Sequence, residues 1–294
     1  MHIIGHEENI NKLKSIISSS NIGHAYIFSG VFGIGKKLIA LNFAKSILCE
    51  KPIDGVACGE CESCLTFDNI SDFRLITPDE KGSIKVEAIR NLTDEMLLKP
   101  TTSSRKVFII DDAETMTEAA QNALLKSLEE PPIYATIVLI TSNKEKIIST
   151  IKSRCVDISF KSLTDEELKH IIGNDYSEDI IKLASGSVEK YNKLKDSDYI
   201  EYALNLEKIL SMDNLLDINS IMMSLKKYKL LKENIDDILD ILIIRASQNL
   251  EEDSLKVSKQ IEIIEKVRNN ISRNGNLDIQ LDYLAVNIWE LNKK

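Results

Sequence analysis

No stretch of this 294-residue sequence approaches eighteen uninterrupted apolar residues, so no helical membrane span is expected. The opening MHIIGHEENINKLK lacks a basic segment followed by a long apolar run, and no secretory leader is expected there. Positive charge is also in short supply: 37 Lys plus Arg stand against 46 Asp plus Glu, a formal net charge of −9. Proteins that grip duplex nucleic acid unaided usually carry a basic surplus, because neutralising phosphates supplies most of the nonspecific affinity. The balance therefore disfavours tight DNA binding by this chain alone, while leaving room for a local basic patch. Proline is missing after Pro132, and beyond it glycine occurs only at Gly173, Gly186 and Gly275. A loop-rich first part and a mainly helical remainder follow. There is no low-complexity linker and no internal repeat.

What is present reads as an ordinary globular protein, 43% hydrophobic and 28% charged, long enough for about two domains or three small ones. The apolar runs Ala25–Ser29, Val107–Asp111 and Ala135–Thr141 are short and continuous, as expected of buried parallel strands, and each precedes a helical pattern. Val156–Phe160 is a fourth candidate strand and Leu75–Thr77 an edge strand. Strands alternating with helices predict an α/β domain with a parallel sheet. After Phe160 the texture changes. Thr164, with Glu167 three residues on, predicts a capping-box helix start, and short helices should run to about Leu206. Further on, Ile235, Ile238, Leu239 and Leu242, then Ile261, Ile264, Val267 and Ile271, recur at helical spacing and predict a separate bundle.

Directly after the first strand comes Gly30-Val31-Phe32-Gly33-Ile34-Gly35-Lys36-Lys37, opening a helix whose apolar face should include Leu38, Leu41 and Phe43. Gly30, Gly33 and Gly35 would let backbone N–H groups turn toward phosphate oxygens, helped by the positive end of the helix. Lys36 would reach the outer phosphates. The next position normally carries the hydroxyl that ligates magnesium, and here it is Lys37. The second half of such a site, a strand ending in paired acids, is Val107–Asp112. Asp111 could hold a metal-bound water. Asp112 takes the place of the carboxylate that activates water, one methylene short, although it reads equally well as a cap on the next helix. The loop looks descended from a phosphate site; whether nucleotide still occupies it stays open at this point.

Cys49, Cys58, Cys61 and Cys64 supply four thiolates, two of the gaps being only two residues long. That number closes a tetrahedral zinc site with no open position, which predicts a structural metal in a reducing compartment. Cys155 stands apart as an ordinary buried thiol. His24 should pack or hydrogen-bond beside the first strand, and Lys226, Lys227 and Lys229 should form a solvated helix face.

Several segments together resemble one family. Met116–Pro132, MTEAAQNALLKSLEEPP, is very similar to the stretch after the second acidic motif of bacterial clamp-loader ATPases. Thr141-Ser142-Asn143 looks like their sensor-1 turn, and Ser153-Arg154-Cys155 like their Ser-Arg-Cys motif. The resemblance covers residues 1 to about 205. It implies an AAA+ (P-loop NTPase-like) domain over 1–161 carrying a zinc module at 49–64, a helical lid over 162–206 and an all-α collar over 207–294. It also implies that Arg154 projects into the ATP site of a neighbouring subunit as an arginine finger in trans, where a lone arginine at a helix end would otherwise read as a surface charge suiting the dipole.

Three departures bear on the type of subunit. Lys37 replaces the magnesium hydroxyl and Asp112 the catalytic glutamate. Glu189, in Ala184–Glu189, stands where the motor subunits place an arginine on the γ-phosphate. Losses of this kind look like the delta-prime type of subunit rather than gamma/tau. The implied function is to assist ATP-dependent loading of the sliding clamp onto primed DNA as part of DNA polymerase III, without ATPase activity of its own; nucleotidyl transfer resides in another subunit. Implied partners are the delta and gamma/tau subunits in a hetero-pentamer, with the clamp and primer–template DNA reached through the complex, in the cytoplasm and without a membrane. ATP or ADP would sit in a degenerate site (Gly30, Gly33, Gly35, Lys36, Lys37, Asp111, Asp112, Ser142) lacking normal magnesium coordination. The rival readings are a working gamma/tau-type ATPase and a zinc-containing DNA-binding module.

Overall fold

Five parallel strands build one sheet: β1 (Ala25–Ser29), β2 (Phe73–Ile76), β3 (Lys106–Ile110), β4 (Ala135–Thr141) and β5 (Val156–Ser159), in the order β2-β3-β4-β1-β5. The computed structural model describes residues 3–174, 176–195, 254–273 and 275–293, together with 235, 238–240, 242, 243, 246 and 247. The chain divides into two compact units, 1–190 and 191–294.

The three inner strands are wholly buried, so alternate side chains feed two cores. Tyr26, Phe28, Val107, Ile109, Val138 and Ile140 pack on one face, against α1 (Glu7–Ser18) and α2 (Lys36–Leu48). Ala25, Ile27, Phe108, Ile110, Ile137 and Leu139 pack on the other, against α4 (Val86–Leu97) and α5 (Glu118–Glu129). This is the three-layer arrangement that parallel crossovers impose. The short helices α3 (Glu62–Leu65) and α6 (Ser149–Lys152) lie in the connections.

On α2, Phe43 is buried and Leu41 packs at the margin of the core as expected, but Leu38 does not. Leu38 is exposed, and the buried stripe is Ile39, Ala40, Phe43, Ala44 and Ile47. The left-handed turn at Gly35 sets where the helix begins and hence which stripe meets the sheet. β2 runs Phe73–Ile76, stopping short of Thr77, the residue before Pro78. His24 is exposed, and its carbonyl accepts the Ile137 N–H.

Beyond the sheet, α7 (Asp165–Ile172) starts at Thr164 with both halves of the capping box: Glu167 N–H donates to Thr164 Oγ1 and Thr164 N–H to Glu167 Oε2. Two short helices, α8 (Glu178–Ala184) and α9 (Val188–Leu194), follow. In the second unit Ile235, Ile238, Leu239 and Leu242 form one buried cluster with Ile264, Val267, Leu281, Leu284 and Ile288 of helices Ser254–Ser272 and Leu277–Asn292. Ile261 and Ile271 pack at its margin. Leu206 and Lys226, Lys227 and Lys229 lie outside the described residues.

One buried carboxylate ties the open edge of the sheet to the cysteine-bearing loop. Asp72, 1% exposed at the start of β2, accepts the backbone N–H groups of Thr101, Thr102 and Ser103 at 2.8–3.1 Å. Ser103 Oγ then donates to the Leu48 carbonyl and meets Ser63 Oγ, residues adjoining Cys49 and Cys64. Burial pushes the Asp72 carboxyl up, but the amides of Ser103, Thr101 and Thr102, with Lys106 nearby, outweigh it and hold the group below its ordinary value. Its stabilisation is therefore complete above the ordinary aspartate range and is lost as pH falls through the depressed value. Asp72→Ala should cost about 2–4 kcal/mol in urea unfolding at neutral pH, and the gap to the wild type should close in acid.

Candidate functional site

The chemistry-bearing residues gather at the carboxyl ends of β1, β3 and β4, where open α/β sheets place their ligands. β1 delivers the glycine loop. Gly33 and Gly35 have φ of +76° and +97°, conformations that cost any residue with a Cβ, and Gly35 turns the chain into α2. Lys36 is 5% exposed, and its ammonium curls back onto the loop, donating to the carbonyls of Gly30 (2.6 Å) and Val31 (2.7 Å) and to Ser142 Oγ (3.3 Å). Burial lowers its pKa, opposed by the charges of Glu114, Asp111 and Asp112.

β3 delivers the acids. Asp111 Oδ2 lies 2.9 Å from Lys37 Nζ, so the carboxylate that would hold a metal-bound water is paired with an ammonium of the same chain. Asp112 sits in the left-handed region at φ +48°, and its carboxyl is pushed up by burial and by repulsion from Asp111 and Glu114. β4 delivers Ser142, whose backbone N–H donates to Glu114 Oε1 at 2.9 Å. The other oxygen of Glu114 is buried with no partner among the described residues. Sequence reasoning passed over Glu114; an acid two residues beyond the Asp111-Asp112 pair, in a turn, was the available signal.

The loop is also covered. Val188 N–H donates to the Gly33 carbonyl at 3.0 Å, and a Cβ on Gly33 would lie 2.4 Å from Ser187 Oγ and 2.7 Å from Glu189 Cβ. The structure thus brings the backbone and Cβ of Glu189 against the glycine loop, which puts an acidic residue beside the loop. Lys37, Asp111, Asp112 and Ser142 share this end of the sheet with Gly30, Gly33, Gly35 and Lys36. Arg154 does not join them.

Arg154 follows α6, and its guanidinium reaches Glu129 at the end of α5 (2.8 Å) and the Thr150 carbonyl (2.9 Å). Gln121 holds α5 to the segment before α6: its Oε1 accepts the Ile148 N–H (2.9 Å) and its Nε2 donates to the Lys146 carbonyl (3.0 Å). The thiol of Cys155, beside Arg154, is pushed up to about 12 by burial, consistent with a packed, inert side chain.

The cysteines form a second, separate site. The four Sγ atoms of Cys49, Cys58, Cys61 and Cys64 lie within 4.8 Å of one another, with Cys58–Cys64 at 4.0 Å and Cys49–Cys61 at 3.9 Å. Tetrahedral zinc–thiolate bonds of about 2.3 Å require sulfur–sulfur edges of about 3.8 Å; two of the edges are within 0.2 Å of that length and the rest no longer than 4.8 Å, so the donor set suits that ion with small side-chain adjustments. Gly59, at φ +79°, makes the turn that aims the N–H groups of Glu60 and Cys61 at Cys58 Sγ. Those amides lower the Cys58 thiol to about 6, while burial raises Cys64 to about 12 and also raises Cys49. Among the described residues no helix is long and apolar enough to cross a membrane.

Comparison with known proteins places this geometry. The family model described as DNA polymerase III, delta subunit, matches residues 5–164. The DNA polymerase III subunit gamma of Buchnera aphidicola subsp. Schizaphis graminum is 34% identical over 214 residues, 70% of this chain and 58% of that protein. The subunit delta' of Pseudomonas aeruginosa is 39% identical over 136 residues, 45% of this chain and 42% of that protein. The chain therefore spans less than two thirds of either relative. A DNA polymerase III gamma subunit-related protein of Thermotoga maritima superposes with a TM-score of 0.54 at 22% identity, covering 97% of this chain and 99% of that one, a likeness of fold.

The two left-handed glycines separate backbone strain from crowding. Gly35→Ala meets no atom within 4 Å, whereas Gly33→Ala drives its methyl into Ser187 and Glu189. Both should destabilise the chain, Gly35→Ala by about 1 kcal/mol and Gly33→Ala by about 2–3 kcal/mol, read as shifts in the urea midpoint.

Proposed function

The chain belongs to the DNA polymerase III delta-subunit family, and we propose that it serves as the delta-prime-type subunit of that polymerase's clamp loader, with no ATPase activity of its own. The observation that carries this reading is the Lys37–Asp111 ion pair at 2.9 Å. Phosphoryl transfer at a glycine loop needs a divalent ion bridging the outer phosphates, and here a fixed ammonium stands beside the carboxylate that would help hold it. Lys37 offers no lone pair while charged, so the residues present do not fit magnesium. The short Asp112 and the acidic Glu189 remove the base and the phosphate-facing cation as well. ATP or ADP, if held by Gly30, Gly33, Gly35, Lys36 and Ser142, would be a bound ligand rather than fuel.

The same reading assigns Arg154 to a neighbour. It lies away from the chain's own glycine loop and is one-third exposed, as a finger offered in trans must be. An arginine there neutralises charge developing on the transferred phosphoryl group, worth several orders of magnitude in rate. The neighbour would be a gamma/tau-type ATPase, within a hetero-pentamer that also holds delta and acts on the sliding clamp and primed DNA in the cytoplasm. In this reading residues 1–161 are the AAA+ domain, 162–206 the lid and 207–294 the collar. The cysteine cluster would hold one structural zinc, whose part is to fix the 49–64 loop against Asp72 and Ser103.

Three outcomes are expected. The isolated chain should release no phosphate from ATP above background in magnesium; brisk turnover abolished by Lys36→Ala would mark it instead as a gamma/tau-type motor. Assembled with its partner subunits, Arg154→Ala should lower DNA-stimulated ATPase by about a hundred-fold or more without preventing assembly. The purified chain should carry about one equivalent of zinc, and Cys64→Ser should lose it together with thermal stability.

A further inference from the structure

Arg154 is not a loose side chain. Its Nη1 donates to the Thr150 carbonyl at 2.9 Å and to Ser153 Oγ at 3.4 Å, and its Nη2 donates to Glu129 Oε1 at 2.8 Å. A guanidinium carries five N–H donors in a rigid plane, so three are engaged and two face no partner among the described residues. Thr150 and Ser153 come from the arginine's own turn and fix one nitrogen. Glu129 is the long-range contact, twenty-five positions away in sequence, and it fixes the other nitrogen and with it the orientation of the plane.

The platform for Glu129 is itself braced. It is the last residue of α5, ahead of Glu130-Pro131-Pro132, which cannot prolong the helix. About two turns back, Gln121 locks α5 to Lys146 and Ile148 just before α6. The two ends of the Glu129–Arg154 contact therefore sit on elements already held in register. We propose that Glu129 is a positioning residue that holds the Arg154 guanidinium splayed at the surface, ready for a phosphoanion presented by another chain. This rests on the reading of Arg154 as a finger in trans.

The contact orients rather than competes. An exposed ion pair contributes little, too little to withhold an arginine from a nucleotide phosphate. Because two donors stay open, an incoming oxygen can be met without breaking the carboxylate contact. What the pair supplies is order: an arginine side chain has many rotamers to lose, and part of that loss is already met before the phosphate arrives.

The test uses the full chain assembled with its ATPase partner subunits and primed DNA, in three variants. Glu129→Ala should lower kcat for ATP about three-fold, with KM unchanged and assembly intact. Glu129→Gln, which keeps an acceptor at the same reach, should recover most of the rate. Arg154→Ala gives the floor. A Glu129→Ala rate at or above wild type beside a crippled Arg154→Ala overturns the positioning role and leaves the finger standing. A harmless Arg154→Ala overturns the finger and the positioning role together. Relaxation of the Arg154 Nε–H resonance in the isolated chain gives an answer that needs no partner: Glu129→Ala should make it markedly more mobile, and equal mobility in both proteins contradicts the proposal.

Discussion

A positive charge fixed beside Asp111 governs how the rest of this molecule is to be understood. Lys37 Nζ, 2.9 Å from the carboxylate, sits at the junction of the glycine loop and the third strand, where the architecture would otherwise bring metal, phosphate and water together. The pair is partly exposed, with Lys37 at 47% and Asp111 at 13%, and contributes little to stability. Its consequence is chemical. The loop keeps its left-handed glycines and its buried Lys36, the parts that shape the backbone. In the function proposed above, the parts that would hold a metal and drive hydrolysis are the ones replaced.

Around that pair the remaining interactions close the loop on itself. Lys36 spends its donors on Gly30, Val31 and Ser142, and Val188 and Ser187 seat the start of α9 on Gly33. The Lys36 N–H donors so engaged are ones a bound phosphate could otherwise accept. Glu114 places one oxygen on the Ser142 amide, and its other oxygen is buried with no partner among the described residues. The Arg154 surface and the cysteine loop are organised separately, the first by Glu129 and Gln121, the second by Asp72 and Ser103.

Much of this was legible in the residue order because it rests on local patterns. Buried parallel strands are continuous apolar runs, so β1, β3 and β4 were readable within one residue. The Thr164–Glu167 box, the thiolate spacing from Cys49 to Cys64 and the glycine loop are short-range motifs whose geometry follows from their spacing. What stayed hidden depends on distance in sequence or on helix phase. Asp72 finds Thr101–Ser103 across the connection holding α4; Gln121 finds Lys146 and Ile148; Glu129 finds Arg154. None of these pairs has a periodic signature. Leu38 was assigned to the apolar face because periodicity gives a stripe but not which of two adjacent stripes faces the sheet, a choice made by the turn at Gly35.

The central claim, that an internal ammonium stands in place of the divalent ion, is tested most directly by paramagnetic resonance of manganese with the purified chain and ATP. The account predicts that the wild type leaves the spectrum of free manganese–ATP unchanged, while Lys37→Thr, which restores a hydroxyl and frees Asp111, produces a protein-bound manganese signal. Protein-bound manganese in the wild type, equal to that of the variant, would contradict it.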